Sequence, residues 1–225
     1  MSAFFITGTD TGVGKTFFTA WLVRSWRAGG WNAAALKPVS TGDRDDAVLL
    51  REASGGVLSL DETNPIHLRE PAAPLLAARL ENRHLDFTAE NRAIASLCAR
   101  FSPCAVEGVG GWRTPLAPGY DVRDWASELA LPVAVVALNR LGVLNHTLLT
   151  VESIRTAGLE CAGVVLNDGG DPSDAAGFNL ARSHNAGLLR ELLILPVFEF
   201  DHDAQASGQV PPWLEGKKGD HQTST

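Results

Sequence analysis

Short, nearly continuous apolar runs recur along the chain at residues 3–7, 33–36, 104–106, 132–138, 162–166 and 193–198, and each is strand-sized. Helix-length segments of mixed polarity separate them at 15–28, 45–53, 88–101, 122–129, 143–157 and 174–192. Strands alternating with helices predict a parallel sheet with helices on both faces, a doubly wound α/β fold. Strands in such a sheet are covered on both sides, which explains unbroken runs such as Val133-Ala134-Val135-Val136-Ala137 where a half-exposed strand would alternate. Residues 55–83 are less regular. Asn64-Pro65, Glu70-Pro71 and Ala73-Pro74 interrupt them, and the pattern predicts an excursion with one short helix near 75–80. One domain over 1–215 and a disordered polar tail at 216–225 complete the organisation. Ligands of such sheets bind at the carboxyl ends of the strands, so the residues following each run carry the functional interest.

After the first run comes Gly8-Thr9-Asp10-Thr11-Gly12-Val13-Gly14-Lys15-Thr16, and a helical segment beginning with Phe17 follows it. Strand, glycine-bearing loop, Gly-Lys-Thr and helix form the arrangement that wraps nucleotide phosphates, giving a P-loop NTPase-like fold. Backbone N–H groups cradle the anion at a helix N-terminus, where the macrodipole favours negative charge. The lysine reaches the outer phosphates and the threonine hydroxyl binds Mg²⁺. Five residues lie between Gly8 and Gly14, one more than the general motif has.

Four later strand ends add candidates. Lys37 follows the second run, in Lys37-Pro38-Val39-Ser40-Thr41-Gly42, beside the phosphate loop in a doubly wound sheet. A second lysine there offsets charge that develops during phosphoryl transfer, so Lys37→Ala is expected to slow turnover far more than it perturbs folding. Asp45 and Asp46 open the next helix, where a carboxylate either ligates Mg²⁺ or favours the positive helix end, and spacing alone does not separate the two. Glu107 ends the third run ahead of Gly108-Val109-Gly110-Gly111-Trp112, the position at which phosphate-loop enzymes hold Mg²⁺. Thr16, Asp46 and Glu107 together make an incomplete Mg²⁺ shell, to be completed by phosphates and water. Asn167-Asp168 closes the fifth run; its amide suits an adenine edge or a simple turn. Leu141-Gly142-Val143-Leu144-Asn145-His146 lies between a strand and a helix, with His146 read as structural.

Composition narrows the classes. A net charge of −7 argues against nucleic-acid and anionic-membrane partners. Cys98, Cys104 and Cys161 form no Cys-x-x-Cys pair and are read as buried, inert thiols. No basic leader precedes the first strand and no apolar run approaches ~18 residues, so a soluble cytoplasmic protein is expected.

With these pieces placed, the chain resembles the dethiobiotin synthetases of the biotin pathway. The likeness runs in order from Phe5 to about Asn167. It covers residues 8–16, 37–42, Asp46, Val106-Glu107-Gly108-Val109-Gly110-Gly111-Trp112 with Thr114-Pro115-Leu116, 141–146 and Asn167-Asp168. The longer phosphate loop is that family's own form. The resemblance implies an ATP-dependent ligase acting on 7,8-diaminopelargonate and CO₂ with Mg²⁺. One amine captures CO₂, the carbamate attacks the γ-phosphate, and the second amine closes the cyclic urea. It implies that Lys37, Lys15 and Thr11 serve catalysis. Gly12, Val13, Gly14, Lys15, Thr16 and Phe17 would wrap the phosphates, with Asp46, Glu107, Gly108, Val109 and Gly110 also on the nucleotide. Asn167 and Asp168 would lie at the base, and Thr16, Asp46 and Glu107 would hold Mg²⁺. Thr11, Lys37 and Thr41 would contact the diamine. Gly142, Val143, Leu144 and Asn145 would bind its carboxylate across a homodimer interface. The chain departs from the family after its last strand, where Pro196-Val197-Phe198-Glu199-Phe200-Asp201-His202-Asp203 replaces a Gly-Glu-Ile-Pro-like segment at the adenine. A septum-placement or partitioning switch ATPase of the same fold is the competing class. It would carry a lysine where this loop has Asp10.

Overall fold

A computed structural model describes residues 2–169 and 179–215 of the chain. The tail at 216–225 and the start of the expected last helix, 174–178, lie outside the described residues. The strands are β1 (Ala3–Gly8), β2 (Ala34–Leu36), β3 (Val39–Thr41), β4 (Ile66–Leu68), β5 (Cys104–Glu107), β6 (Pro115–Ala117), β7 (Tyr120–Asp121), β8 (Val133–Leu138), β9 (Cys161–Asn167) and β10 (Val197–Phe200). The helices are α1 (Lys15–Ala28), α2 (Asp45–Ala53), α3 (Leu60–Thr63), α4 (Pro74–Leu80), α5 (Phe87–Arg100), α6 (Val122–Leu129), α7 (Val143–Thr156), α8 (Asn179–Leu193) and α9 (His202–Ser207).

Six strands form the central sheet in the order β10-β9-β8-β1-β5-β2, and every pairing in it is parallel. The chain leaves β1 toward β5 and β2 on one side and toward β8, β9 and β10 on the other. That split opens a crevice at the carboxyl end of β1, where ligands of open α/β sheets bind. Side chains alternate across the sheet. Phe5 packs under Trp125 with Val106, Val133 and Val135. Phe4 and Ile6 join Phe18, Leu22 and Trp26 of α1 on the opposite face. With both faces sealed, the strands run apolar throughout, as the sequence pattern required.

Two expectations change. The last strand is Val197–Phe200, and the run at 193–198 is divided between elements. Leu193 is buried as the last residue of α8, continuing the face of Ala186 and Leu189. Ile194 then turns to φ 53, and Pro196 delays the strand until Val197. The excursion at 55–83 is also more ordered than its prolines suggest. It contains α3, started by a Ser59–Glu62 capping box, and α4, started at Pro74. It also contains β4, which pairs in parallel with β3 as a separate two-stranded sheet. The three cysteines are free and buried as expected, and burial pushes the Cys161 thiol up to about 11. Among the described residues no helix is long and apolar enough to cross a membrane.

Candidate active site

The loop between β1 and α1 hangs from the sheet by backbone hydrogen bonds. Thr9 N donates to Val136 O (3.0 Å), and Trp112 N donates to Gly8 O (3.1 Å), tying the β5 loop to the phosphate loop. Gly14 caps α1 at φ 89 and ψ 23, and no side chain caps the helix. The first-turn N–H groups of α1 are therefore left for an anion, on the positive end of the helix dipole.

A cleft of ≈ 440 Å³ opens in front of that turn. It gathers Thr11, Gly12, Gly14, Lys15, Thr16 and Phe17 of the loop and helix with Lys37, Thr41, Asp46, Val109 and Gly110 from three other chain segments. Ser40, Asp43 and Leu49 line it as well and were not singled out from sequence. Leu49 had a legible signal: it stands three positions after Asp46, on the same face of α2.

The floor of the cleft is a charge cluster. Lys37 Nζ donates to Glu107 Oε1 (2.6 Å) and to Asp46 Oδ2 (2.9 Å), and Thr16 Oγ1 donates to the same Glu107 oxygen (2.7 Å). Glu107 is fully buried and Lys37 is 3% exposed, whereas the Asp46 side chain keeps half its surface in solvent. Burial disfavours the Lys37 ammonium, but the Glu107 and Asp46 charges and their hydrogen bonds overcome that and raise its pKa above 10.5. Burial likewise pushes Asp46 up, and Lys37, helped by Thr16 and Lys15, brings it below its usual value. Lys15 has the opposite balance. Burial first, then repulsion from Lys37, pushes its pKa down to about 8 against the weaker pull of Glu107, Asp46 and Asp10. Its Nζ donates to Asp10 O (3.0 Å).

The structure separates the two aspartates that spacing left open. Asp46 faces the cluster, while the backbone N–H of Asp45 donates to Asp43 Oδ1 (3.2 Å) in a turn. Glu107 Oε2 is buried with no partner. An orphaned carboxylate oxygen beside a carboxylate and a hydroxyl is a hard-oxygen donor set that fits a divalent cation such as Mg²⁺. Among the described residues no group of three His, Cys, Asp or Glu side chains could hold a metal by itself. The cation would therefore be shared with substrate phosphates.

The remaining candidates divide. Asn167 reaches the phosphate loop, where its Nδ2 donates to Val13 O (3.0 Å) and its Oδ1 is buried with no partner. Asp168 does not face the phosphate cleft. It pairs with Arg182 and borders a neighbouring cleft of ≈ 410 Å³ with Asn139 and with Glu199 and Asp201 of the divergent segment; Asn139 and Arg182 were not marked from sequence. Gly108 passes the ring of Phe5, where an added Cβ would stand 3.1 Å from it, so its role is to let β5 end against the core. Gly142, Val143, Leu144 and Asn145 start α7 and do not line the phosphate cleft of their own chain.

This fold and cleft define a phosphate-loop nucleotide-binding protein, and solved structures of that class share the architecture. FtsY from Thermotoga maritima superposes at a TM-score of 0.53 and 16% identity, over 95% of this chain and 68% of that one. The septum site-determining protein MinD of Pyrococcus horikoshii, complexed with Mg-ADP, gives 0.52 and 18%, over 92% and 86%. At such identities the likeness is one of fold alone. A family model described as an AAA domain matches residues 2–198. The ATP-dependent dethiobiotin synthetase BioD of Akkermansia muciniphila is 49% identical over 176 residues, covering 78% of this chain and 83% of that protein. The BioD of Anaeromyxobacter dehalogenans strain 2CP-C is 43% identical over 217 residues, covering 93% and 97%. The chain belongs to the dethiobiotin synthetase family.

Proposed function

We infer that this protein is an ATP-dependent dethiobiotin synthetase that carboxylates 7,8-diaminopelargonate with CO₂ and closes the cyclic urea, releasing ADP and phosphate. The observation that carries the reading is the cluster of Asp46 and Thr16 with the buried Lys37–Glu107 ion pair at the cleft that the phosphate loop also lines.

The chemistry brings an anionic carbamate against an anionic γ-phosphate, so the protein's task is to hold both and neutralise their repulsion. The uncapped first turn of α1 and Lys15 bind the phosphate chain. Lys37 supplies positive charge between the attacking oxygen and the γ-phosphate. Thr11 and Thr41 flank the carbamate and orient it by hydrogen bonds. Thr16, Asp46 and the free oxygen of Glu107 would hold Mg²⁺, which when bound polarises the phosphate oxygens and screens their charge. Asn167, with its amide N–H on Val13 O, offers its unpaired Oδ1 to the exocyclic amine of adenine.

The enzyme works as a cytoplasmic homodimer with no nucleic-acid or membrane partner. Leu141 just before α7 and Leu149 midway along it are exposed, and no side chain caps the first-turn N–H groups that follow Val143, whose own N–H donates to Arg140 O (3.1 Å). Those N–H groups suit the diamine's carboxylate, reached from the neighbouring subunit's cleft. The likeness to MinD carries no functional weight, and Asp10 stands where a switch ATPase of that kind has its signature lysine.

Incubation with MgATP, bicarbonate and 7,8-diaminopelargonate is expected to release phosphate only when the diamine is present, with the cyclic urea detected by mass spectrometry. ATP hydrolysis that ignores the diamine and responds to DNA or lipid would overturn the reading. The lowered pKa of Lys15 adds a pH signature. Phosphates favour its ammonium, so binding raises its pKa and draws a proton from solvent above about pH 8. Calorimetry of ADP binding at pH 8.5, in two buffers of different ionisation enthalpy, should show proton uptake that disappears in Lys15→Arg. Equal heats in the two buffers would exclude it. Without ligand the sign is the reverse. The unfolded chain holds more protons between about pH 8 and the ordinary lysine value, so this group's contribution to stability increases with pH across that window.

A further inference from the structure

Phe17 is the only exposed aromatic side chain among the described residues, at 51%, and it stands immediately after Thr16 in the first turn of α1. An isolated exposed apolar residue is ordinary on a protein surface. Phe17 is not isolated. Its ring packs 5.8 Å from that of Phe200, which is itself buried against Phe18 (5.2 Å) and Trp21 (5.0 Å). One side of the Phe17 ring is thus held by a wall of aromatic rings, and the residue lines the phosphate cleft with Lys15 and Thr16.

Phe18 and Trp21 of the wall belong to α1, and Phe200 comes from the 196–203 segment that the sequence reading sets apart from the family pattern. Phe200 ends β10 directly opposite Asn167 in the parallel register, and Asp168 N donates to its carbonyl (3.1 Å). The following helix, α9, is fixed to α1 by Trp21 Nε1, which donates to Gln205 O (3.2 Å). Phe17 and the unpaired Oδ1 of Asn167 therefore border the same end of the sheet, one as an apolar face and the other as a hydrogen-bond acceptor. On the nucleotide-binding reading Lys15 serves the outer phosphates, and Phe17, two residues further along α1 and lining the same cleft, would stand toward the sugar and base.

We propose that Phe17 is a nucleobase platform: its ring stacks on the base of the bound nucleotide, backed by Phe200. A π-face accepts any base, so the platform contributes affinity, and discrimination among bases falls to the acceptor of Asn167. The proposal rests on the nucleotide-binding reading above. Its test separates the two by comparing ADP with inorganic tripolyphosphate, which has no base, in calorimetric titrations with Mg²⁺.

Phe17→Ala and Phe17→Leu are expected to weaken ADP by roughly 5- to 100-fold, with tripolyphosphate affinity within about twofold of the parent. Phe17→Tyr, which keeps the face, should retain ADP binding. Leucine keeps the apolar bulk, so loss in that variant identifies the aromatic face and not the packing. Undiminished ADP affinity in Phe17→Ala and Phe17→Leu would overturn the platform, as would equal weakening of both ligands. A parent protein that binds neither ligand would overturn the phosphate-site reading itself.

Discussion

Lys37→Ala is expected to lower turnover on the order of 10²–10³-fold and, in the same variant, to destabilise the fold by about 3–5 kcal/mol at neutral pH. The first effect follows from removing a positive charge from the path of an anion attacking an anion. The second follows from burial. Glu107 is fully buried, and it loses the ammonium 2.6 Å away while keeping only the Thr16 hydroxyl. The sequence, which places Lys37 beside the phosphate loop without showing its burial, suggests a much larger effect on turnover than on folding. Here the ammonium is as deeply placed as the core. The pair's contribution spans a wide pH range. Lys37 is raised, so its share is present below its unfolded value and lost only in strong base. Asp46 is lowered, so its share is present above its unfolded value and lost as acid protonates it. Denaturant melts at pH 7 and phosphate-release assays check the two effects separately. Mg²⁺ should stabilise the variant more than the parent, since a cation then answers two carboxylates that no longer have an ammonium. A variant as stable as the parent, with or without Mg²⁺, would show that the pair is not what holds Glu107 in the core.

The parallel sheet was legible because its strands are buried on both faces, and that burial writes itself as unbroken apolar runs. Lys15, Lys37, Asp46 and Glu107 were legible because each follows a strand or opens a helix, and the fold delivers those points to one crevice. The pairing of β3 with β4 was not, since three residues among prolines carry no period to read. Nor was the division of 193–198 between α8 and β10, because Leu193 and Val197 are equally apolar and only Ile194's left-handed backbone separates them. Asp168 illustrates a different limit. Its place after β9 is the right one for a ligand contact, but Arg182 takes it, and that partner is distant in sequence and unmarked by any motif. Residues 142–145 do not line the cleft of their own chain; under the proposed function they would act across a subunit interface, and such a contact leaves no trace in the fold of one subunit.

The other large effect is expected at Gly14. Gly14→Ala should weaken ADP binding by more than about 100-fold, because both ways of accommodating a methyl group damage the site. At φ 89 an L-residue sits in the left-handed region, at a cost of about 1–3 kcal/mol. The new Cβ would also overlap the amide nitrogen of Asn167. Asn167 cannot withdraw freely, since its Nδ2 is bonded to Val13 O in the same loop (3.0 Å) and moving it strips a buried carbonyl of its partner. If instead Gly14 rotates out of the left-handed region, the first-turn N–H groups of α1 turn away from the anion they are uncapped to receive. Gly12 provides the control. It has φ 73, yet an added Cβ there meets nothing within 4 Å, so Gly12→Ala carries the backbone strain without the collision. ADP calorimetry on the two variants should therefore show a modest loss for Gly12→Ala and near abolition for Gly14→Ala. Equal losses would assign the effect to backbone strain alone and remove Asn167 from the support of the phosphate loop.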